Sequence, residues 1–122
     1  TVMRLANHQN IVGIKEALDD SERLSELIRI SESIADQKKF SVFSGDDPSF
    51  NSFMANGGDG VISVAANIVP NYISQICSLN ISDQFDDAKE LNSILQNLYE
   101  LLFVESNPIP VKWMLYKMGK IQ

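Results

Sequence analysis

Short apolar runs alternate with longer stretches of helical spacing along the first two thirds of the chain. Ile11-Val12-Gly13-Ile14, Phe40 to Ser44 and Gly60 to Val64 are too short for helices and carry β-branched or aromatic residues, which predicts three strands. The first is followed at once by polar residues and is wholly apolar, as in a strand buried on both faces. Between the runs the apolar period changes. Asp19 with Glu22 three residues later forms a capping box, after which Leu24, Leu27, Ile28, Ile34 and Ala35 share one helical face. After the second run, Asp47 caps a helix with Pro48 in its first turn, where the missing N–H costs nothing. Asn56-Gly57-Gly58 supplies the left-handed backbone that ends it.

The third run leads into Pro70 and a helix that turns Ile73, Ile76 and Cys77 inward. Strands alternating with helices predict right-handed βαβ units and a parallel sheet. The pattern then changes. Ser82 is placed to cap a long helix bearing Phe85, Ala88, Leu91, Leu95, Leu98 and Leu102, and no strand follows. Pro108 and Pro110 open a last helix through about Met118, ended by Gly119. The chain therefore divides into three βα units, residues 1–80, and a helical extension, residues 81–122. Either a small open α/β sheet or one side of a (β/α)8 barrel fits the pattern.

Composition narrows the function classes. Hydrophobic residues make up 44% of the 122 and charged residues 21%, as in a folded globular protein rather than a disordered one. A net charge of −6 without a basic cluster argues against nucleic acid. No apolar stretch reaches membrane-span length. Arg4, His8 and Lys15 interrupt the region where a signal peptide would lie. Cys77, the single cysteine, has no internal disulfide partner, which fits a cytoplasmic setting. The chain opens on Thr1, as a piece of a longer protein does.

In parallel α/β folds ligands bind beyond the carboxyl ends of the strands. Those ends carry Lys15-Glu16, Ser44-Gly45-Asp46-Asp47 and Ser63 to Asn67. Withdrawal from water at such a position favours the neutral, nucleophilic amine of Lys15. The ordinary alternative is a lysine that reaches solvent with its stem packed on apolar neighbours. Gly45 lets the backbone approach a ligand closely, and Asp46 and Asp47 serve either chemistry or the start of a helix. Gly57-Gly58-Asp59-Gly60 precedes its strand, so it reads as a tight connection and not a phosphate loop. His8 is the only histidine, which removes histidine-rich metal sites and leaves a Ser-His-Asp triad only a residue before the first strand. No metal or cofactor motif is present, and lysine chemistry is the best-supported enzymatic option.

Four motifs then occur in order: Ile11-Val12-Gly13-Ile14-Lys15-Glu16-Ala17, Ser44-Gly45-Asp46-Asp47, Gly57-Gly58-Asp59-Gly60-Val61-Ile62-Ser63 and Asn107-Pro108-Ile109-Pro110-Val111-Lys112. Over nearly all its length the chain resembles the carboxyl-terminal half of the dihydrodipicolinate synthases (4-hydroxy-tetrahydrodipicolinate synthases), of the class I aldolase superfamily. The resemblance implies the sixth, seventh and eighth strands of a (β/α)8 TIM barrel followed by carboxyl-terminal helices. It implies condensation of pyruvate with aspartate semialdehyde in lysine (diaminopimelate) biosynthesis, without a cofactor, in a homo-oligomer, by family a tetramer. Lys15 matches the lysine that forms the Schiff base with pyruvate. Gly45 matches the strand-end glycine beside the second substrate, with Asp46 next to it, and Ile62 matches the residue whose backbone carbonyl faces the pyruvate adduct.

Other parts of the family's machinery have no counterpart here. The threonine pair for the pyruvate carboxylate, the proton-shuttling tyrosine and the arginine for the aldehyde substrate belong to earlier strands. Tyr72, Tyr99 and Tyr116 fall in later helices. The stretch Ser31 to Lys39 is several residues longer than usual, on the face away from the site. Two alternatives stand beside the synthase. One is another pyruvate-dependent aldolase such as N-acetylneuraminate lyase, against which Glu16-Ala17 and Asn107 to Lys112 speak. The other is an inactive remnant that acts at most as a subunit-interaction piece. In either case Val12, Ile14, Val42 and Val61 are expected to face the barrel interior.

Overall fold

A computed structural model describes residues 1–122 as two units, Thr1–Ile62 and Ser63–Gln122. The first holds the element order α1 (Val2–Ala6), β1 (Gly13–Glu16), α2 (Ser21–Ser33), β2 (Ser41–Ser44), α3 (Phe50–Ala55) and β3 (Gly60–Val61). Its three strands are parallel in the order β1-β2-β3, as the alternation of patterns requires. Ala6, Leu24, Leu27, Ile30, Ile34, Phe40, Val42 and Phe53 form the core, with Ile14 packed against it. Val42 and Ile14 are therefore on the helix-covered face, opposite to the expected direction. Apolar identity marks a residue as inward of something without saying which face of a parallel sheet it occupies.

Element boundaries also move. The first strand begins at Gly13, two residues later than the apolar run, so that Lys15 and Glu16 lie within it and pair with Phe43 and Ser44. It is not buried on both faces: none of its residues is fully buried, and Val12, just before it, is 65% exposed. The third strand keeps two residues of the expected five. With β2 alone beside it, pairing ends at Val61, and Ile62 N–H makes one last bond to the Ser44 carbonyl at 2.8 Å. Asp20, not Asp19, caps α2, its Oδ1 accepting the N–H groups of Glu22 (2.9 Å) and Arg23 (3.0 Å). That is the reach of a cap to the second and third helical residues. Ala35 lies past the helix end and is exposed.

Two side chains outside the helices tie this unit together. Lys38 Nζ donates to the carbonyls of His8 and Ile11. It thereby anchors the long Ser31 to Lys39 connection at the amino-terminal ends of the strands, away from Lys15. Asp59 brackets the buried Val42, its Oδ2 accepting the Val42 N–H at 2.7 Å while its own N–H donates to the Val42 carbonyl at 2.8 Å. Gly57 takes φ +102° at the end of α3, the left-handed turn expected there.

The second unit opens with a 3-10 turn, Ala65–Asn67, followed by α4 (Pro70–Ile81), α5 (Phe85–Ser93), α6 (Gln96–Leu102) and α7 (Ile109–Lys117). Pro70 starts α4 as expected, with Ile73 and Ile76 buried. Ser82 caps no helix. It closes α4 at its carboxyl end, and Asp83 with φ +58° redirects the chain. The single long helix of the sequence pattern is two, α5 and α6. At the break Leu95 N–H bonds back to Asn92 at 3.1 Å, and the Asn92 side-chain oxygen accepts the Tyr99 hydroxyl at 2.8 Å. Apolar period persists through such a break because Ala88, Leu95, Tyr99 and Leu102 all remain buried. Gly119, at φ +67°, ends the chain's last helix. No helix is long and apolar enough to cross a membrane.

Candidate functional site

Side chains alternate across a strand, and the register sets which ones meet. Lys15 lies beside Phe43 and Ile14 beside Val42. With Ile14 and Val42 on the helix side, Gly13 and Lys15 of β1 project from the other face, with Ser41 and Phe43 of β2. These four and Ile62 line a groove of about 700 Å³ that Lys39 also borders. Lys15 is exposed there, and Ile62 is 51% exposed. The groove face is uncovered in this chain, in contrast to the water-poor setting expected from the sequence.

The carboxyl end of β1 is held on its helix side. Glu16 Oε1 accepts the Leu18 N–H at 3.1 Å and Oε2 accepts Arg23 Nε–H at 3.1 Å. Arg23 Nη1 reaches Glu26 at 2.7 Å, and the bonds to Glu26 and Glu16 push its titration above an already high ordinary value. Gly45 N–H donates to the Glu16 carbonyl at 2.7 Å, which closes β2 onto β1 one residue beyond Lys15. Lys15 and Ile62 thus share a groove, and Gly45 lies directly under the Lys15 stem. A Cβ on Gly45 would stand 2.4 Å from Lys15 Cε.

Asp46 behaves differently. Its Oδ2 accepts both the N–H (3.0 Å) and the hydroxyl of Ser49, and the Ser44 hydroxyl bridges its backbone N–H and carbonyl at 3.2 Å each. Asp46 thereby holds the turn that leads into α3, which begins at Phe50 with Ser49, not Asp47, at its cap position. Asp47 is buried, 1% exposed. Sequence reasoning missed Phe43, whose place beside Lys15 needs the strand register, and Arg23, whose partner Glu16 is seven residues away. No group of three or more His, Cys, Asp or Glu side chains is arranged to hold a metal ion.

Residues 1–122 match the Dihydrodipicolinate synthetase family along their whole length. The chain belongs to that family. It is 42% identical over 121 residues to the 4-hydroxy-tetrahydrodipicolinate synthase of Laribacter hongkongensis, covering 99% of this chain and 40% of the relative. A dihydrodipicolinate synthase from Aquifex aeolicus superposes with a TM-score of 0.90 at 35% identity, over 99% of this chain and 40% of its own. The chloride-inhibited enzyme from Acinetobacter baumannii, solved in complex with pyruvate, gives 0.86 at 47% identity, over 98% and 40%. The chain thus spans about 40% of the length of the relatives it matches.

Proposed function

We propose that this chain is the carboxyl-terminal part of a 4-hydroxy-tetrahydrodipicolinate synthase. Residues 1–80 form the last three βα units of a (β/α)8 barrel, and residues 81–122 form its helical extension. The observation that carries the reading is Lys15 on the open face of a parallel sheet, at the strands' carboxyl ends. It shares its groove with Ile62, in a chain 47% identical to a relative solved with pyruvate. The uncovered groove face becomes the barrel interior, and Lys15 projects into it.

In the proposed reaction Lys15 Nζ adds to the pyruvate ketone, and loss of water forms a protonated imine. The iminium withdraws electrons from the adjoining methyl group, which loses a proton to give an enamine. The enamine carbon then attacks the aldehyde carbon of aspartate semialdehyde. The Ile62 carbonyl faces the adduct, Gly45 flanks Lys15, and Asp46 contributes by holding the turn beside it. Proton transfer and carboxylate binding require groups outside these residues. We extend the proposal to cytoplasmic action and to self-association of the whole protein, for which exposed apolar residues such as Leu101, Val104, Ile109 and Trp113 offer surface.

Borohydride reduction tests the central step in the protein as encoded by its gene. Added with pyruvate, it should leave a pyruvate-derived mass on Lys15, and Lys15→Ala should remove it. Mass on Lys112 or Lys117 instead would overturn the assignment. N-acetylneuraminate lyase chemistry would form the same adduct, so the aldehyde decides between them: pyruvate-dependent consumption of aspartate semialdehyde in the absence of borohydride favours the synthase, which the relatives' shared activity also supports.

A further inference from the structure

Gly45 is not glycine for the sake of its backbone. The left-handed glycines of this chain are Gly57 and Gly119, and Gly45 is not among them, so alanine can adopt its conformation without strain. What a side chain would lack there is space. A Cβ would stand 2.4 Å from Lys15 Cε, 3.0 Å from Lys15 Cγ and 3.1 Å from the Ala17 methyl. The Lys15 stem therefore runs across the bare α-carbon of Gly45, which acts as the floor on which the amine is carried into the groove.

The surroundings leave only one group able to yield. Gly45 is tied to β1 by its 2.7 Å hydrogen bond to the Glu16 carbonyl. Glu16 is in turn fixed by Leu18 and Arg23. Ala17 closes the other side with a methyl that has no rotamer to adopt. Of the three atoms a new methyl meets, the lysine Cε is the far end of a flexible chain, and such a contact is relieved cheaply. To reach ordinary van der Waals separation of at least 3.4 Å from 2.4 Å, that carbon moves by about 1 Å. Loss of contact, not loss of fold, is the result.

The geometry points to Gly45 as a positioning residue for Lys15, acting through the path of the lysine side chain rather than by touching the second substrate. The inference rests on the proposed Schiff-base function for its catalytic consequence, but its structural content does not. A displacement of about 1 Å at a reacting group costs on the order of 100-fold in rate. Gly45→Ala should therefore slow pyruvate trapping on Lys15 by about that factor, while the protein still folds.

Two labelling reactions on the protein as encoded by its gene, wild type and Gly45→Ala, test it. The first is cyanoborohydride trapping of pyruvate, followed as the rate of mass gain on Lys15. The second is reductive methylation with formaldehyde, read by peptide mass spectrometry as the Lys15 to Lys39 labelling ratio. Lys39 borders the same groove and serves as the internal reference. Slower pyruvate trapping with a changed formaldehyde ratio is the expected result. Unchanged trapping and an unchanged ratio, with only the aldehyde KM raised, would overturn the proposal and return Gly45 to the second substrate. If the wild type takes no pyruvate at Lys15, the functional reading fails while the formaldehyde ratio still decides the positioning role. In that case a changed ratio sustains the positioning role and an unchanged one removes it.

Discussion

Lys15 and Glu16 are neighbours in the chain and face opposite layers of the sheet, and that separation divides their work. Lys15 points into the open groove, while Glu16 receives Leu18 and Arg23 on the helix side and keeps the strand end still. The motif spelled both residues out, but only the alternation of a strand explains why one faces the groove and the other braces the strand end. Cys77 is a contrasting case, a half-buried thiol with no partner cysteine. Burial pushes its titration up, so the folded chain keeps the proton longer than the unfolded chain does. Its contribution to stability is fully present below the unfolded thiol's range, about pH 8.5, and is lost as pH rises through the folded value. Iodoacetamide at pH 8 should modify Cys77 more slowly in the native protein than in urea, and the midpoint of unfolding should fall above about pH 9 more steeply than in Cys77→Ala. Equal rates in both states would show the thiol to be unprotected.

Elements here are joined by side chains that substitute for missing ladder bonds. β3 pairs with β2 over two residues, and Asp59 extends the connection by bonding the Val42 N–H and carbonyl. Asp59 is exposed and its bond to Val42 is part-buried, so water can take the place of a missing carboxylate. Asp59→Ala should therefore destabilise the fold by about 1 kcal/mol, the net worth of a hydrogen bond. Asp59→Asn, which retains an acceptor oxygen, should cost less. Chemical denaturation of both variants measures the difference, and equal losses would show that the carboxylate's charge, not the hydrogen bond, matters. Helix boundaries were legible where a cap residue or proline acts locally, as at Pro70 and Gly119. They were not legible at Ser82 or across Ile94, because burial of Leu95 and Tyr99 continues the apolar period straight through the break between α5 and α6.

At the scale of the molecule, the sheet of the first unit ends in two edge strands, β1 and β3, and Lys15 on its groove face is exposed. Val12 and Ile62 are 65% and 51% exposed. Each large apolar side chain left in water forfeits roughly 1.5–3 kcal/mol, against a whole-domain stability of about 5–15 kcal/mol. Strand edges of this kind also recruit other chains. Residues 1–122 expressed alone should give no measurable condensation. Co-expression with an amino-terminal half that carries the threonine pair and the tyrosine should restore it. A monodisperse 122-residue fragment that turns over both substrates would require a site built from residues assigned no role here.

Local sequence determined the parallel α/β order, the helical end of the chain and the identity of Lys15, because these depend on hydrophobic period and on residues a few positions apart. The order of four motifs also marks the family. Tertiary structure alone decided which face of the sheet is the core, since Ile14 and Val42 are apolar on either assignment and only packing against α2 and α3 chooses. It decided that Asp46 binds Ser49 in the turn before α3, because such a bond is selected by where the backbone N–H groups point. It also decided that Gly45 lies under the Lys15 stem. That contact joins two strands whose residues are thirty positions apart, and register, which no local pattern encodes, brings them together.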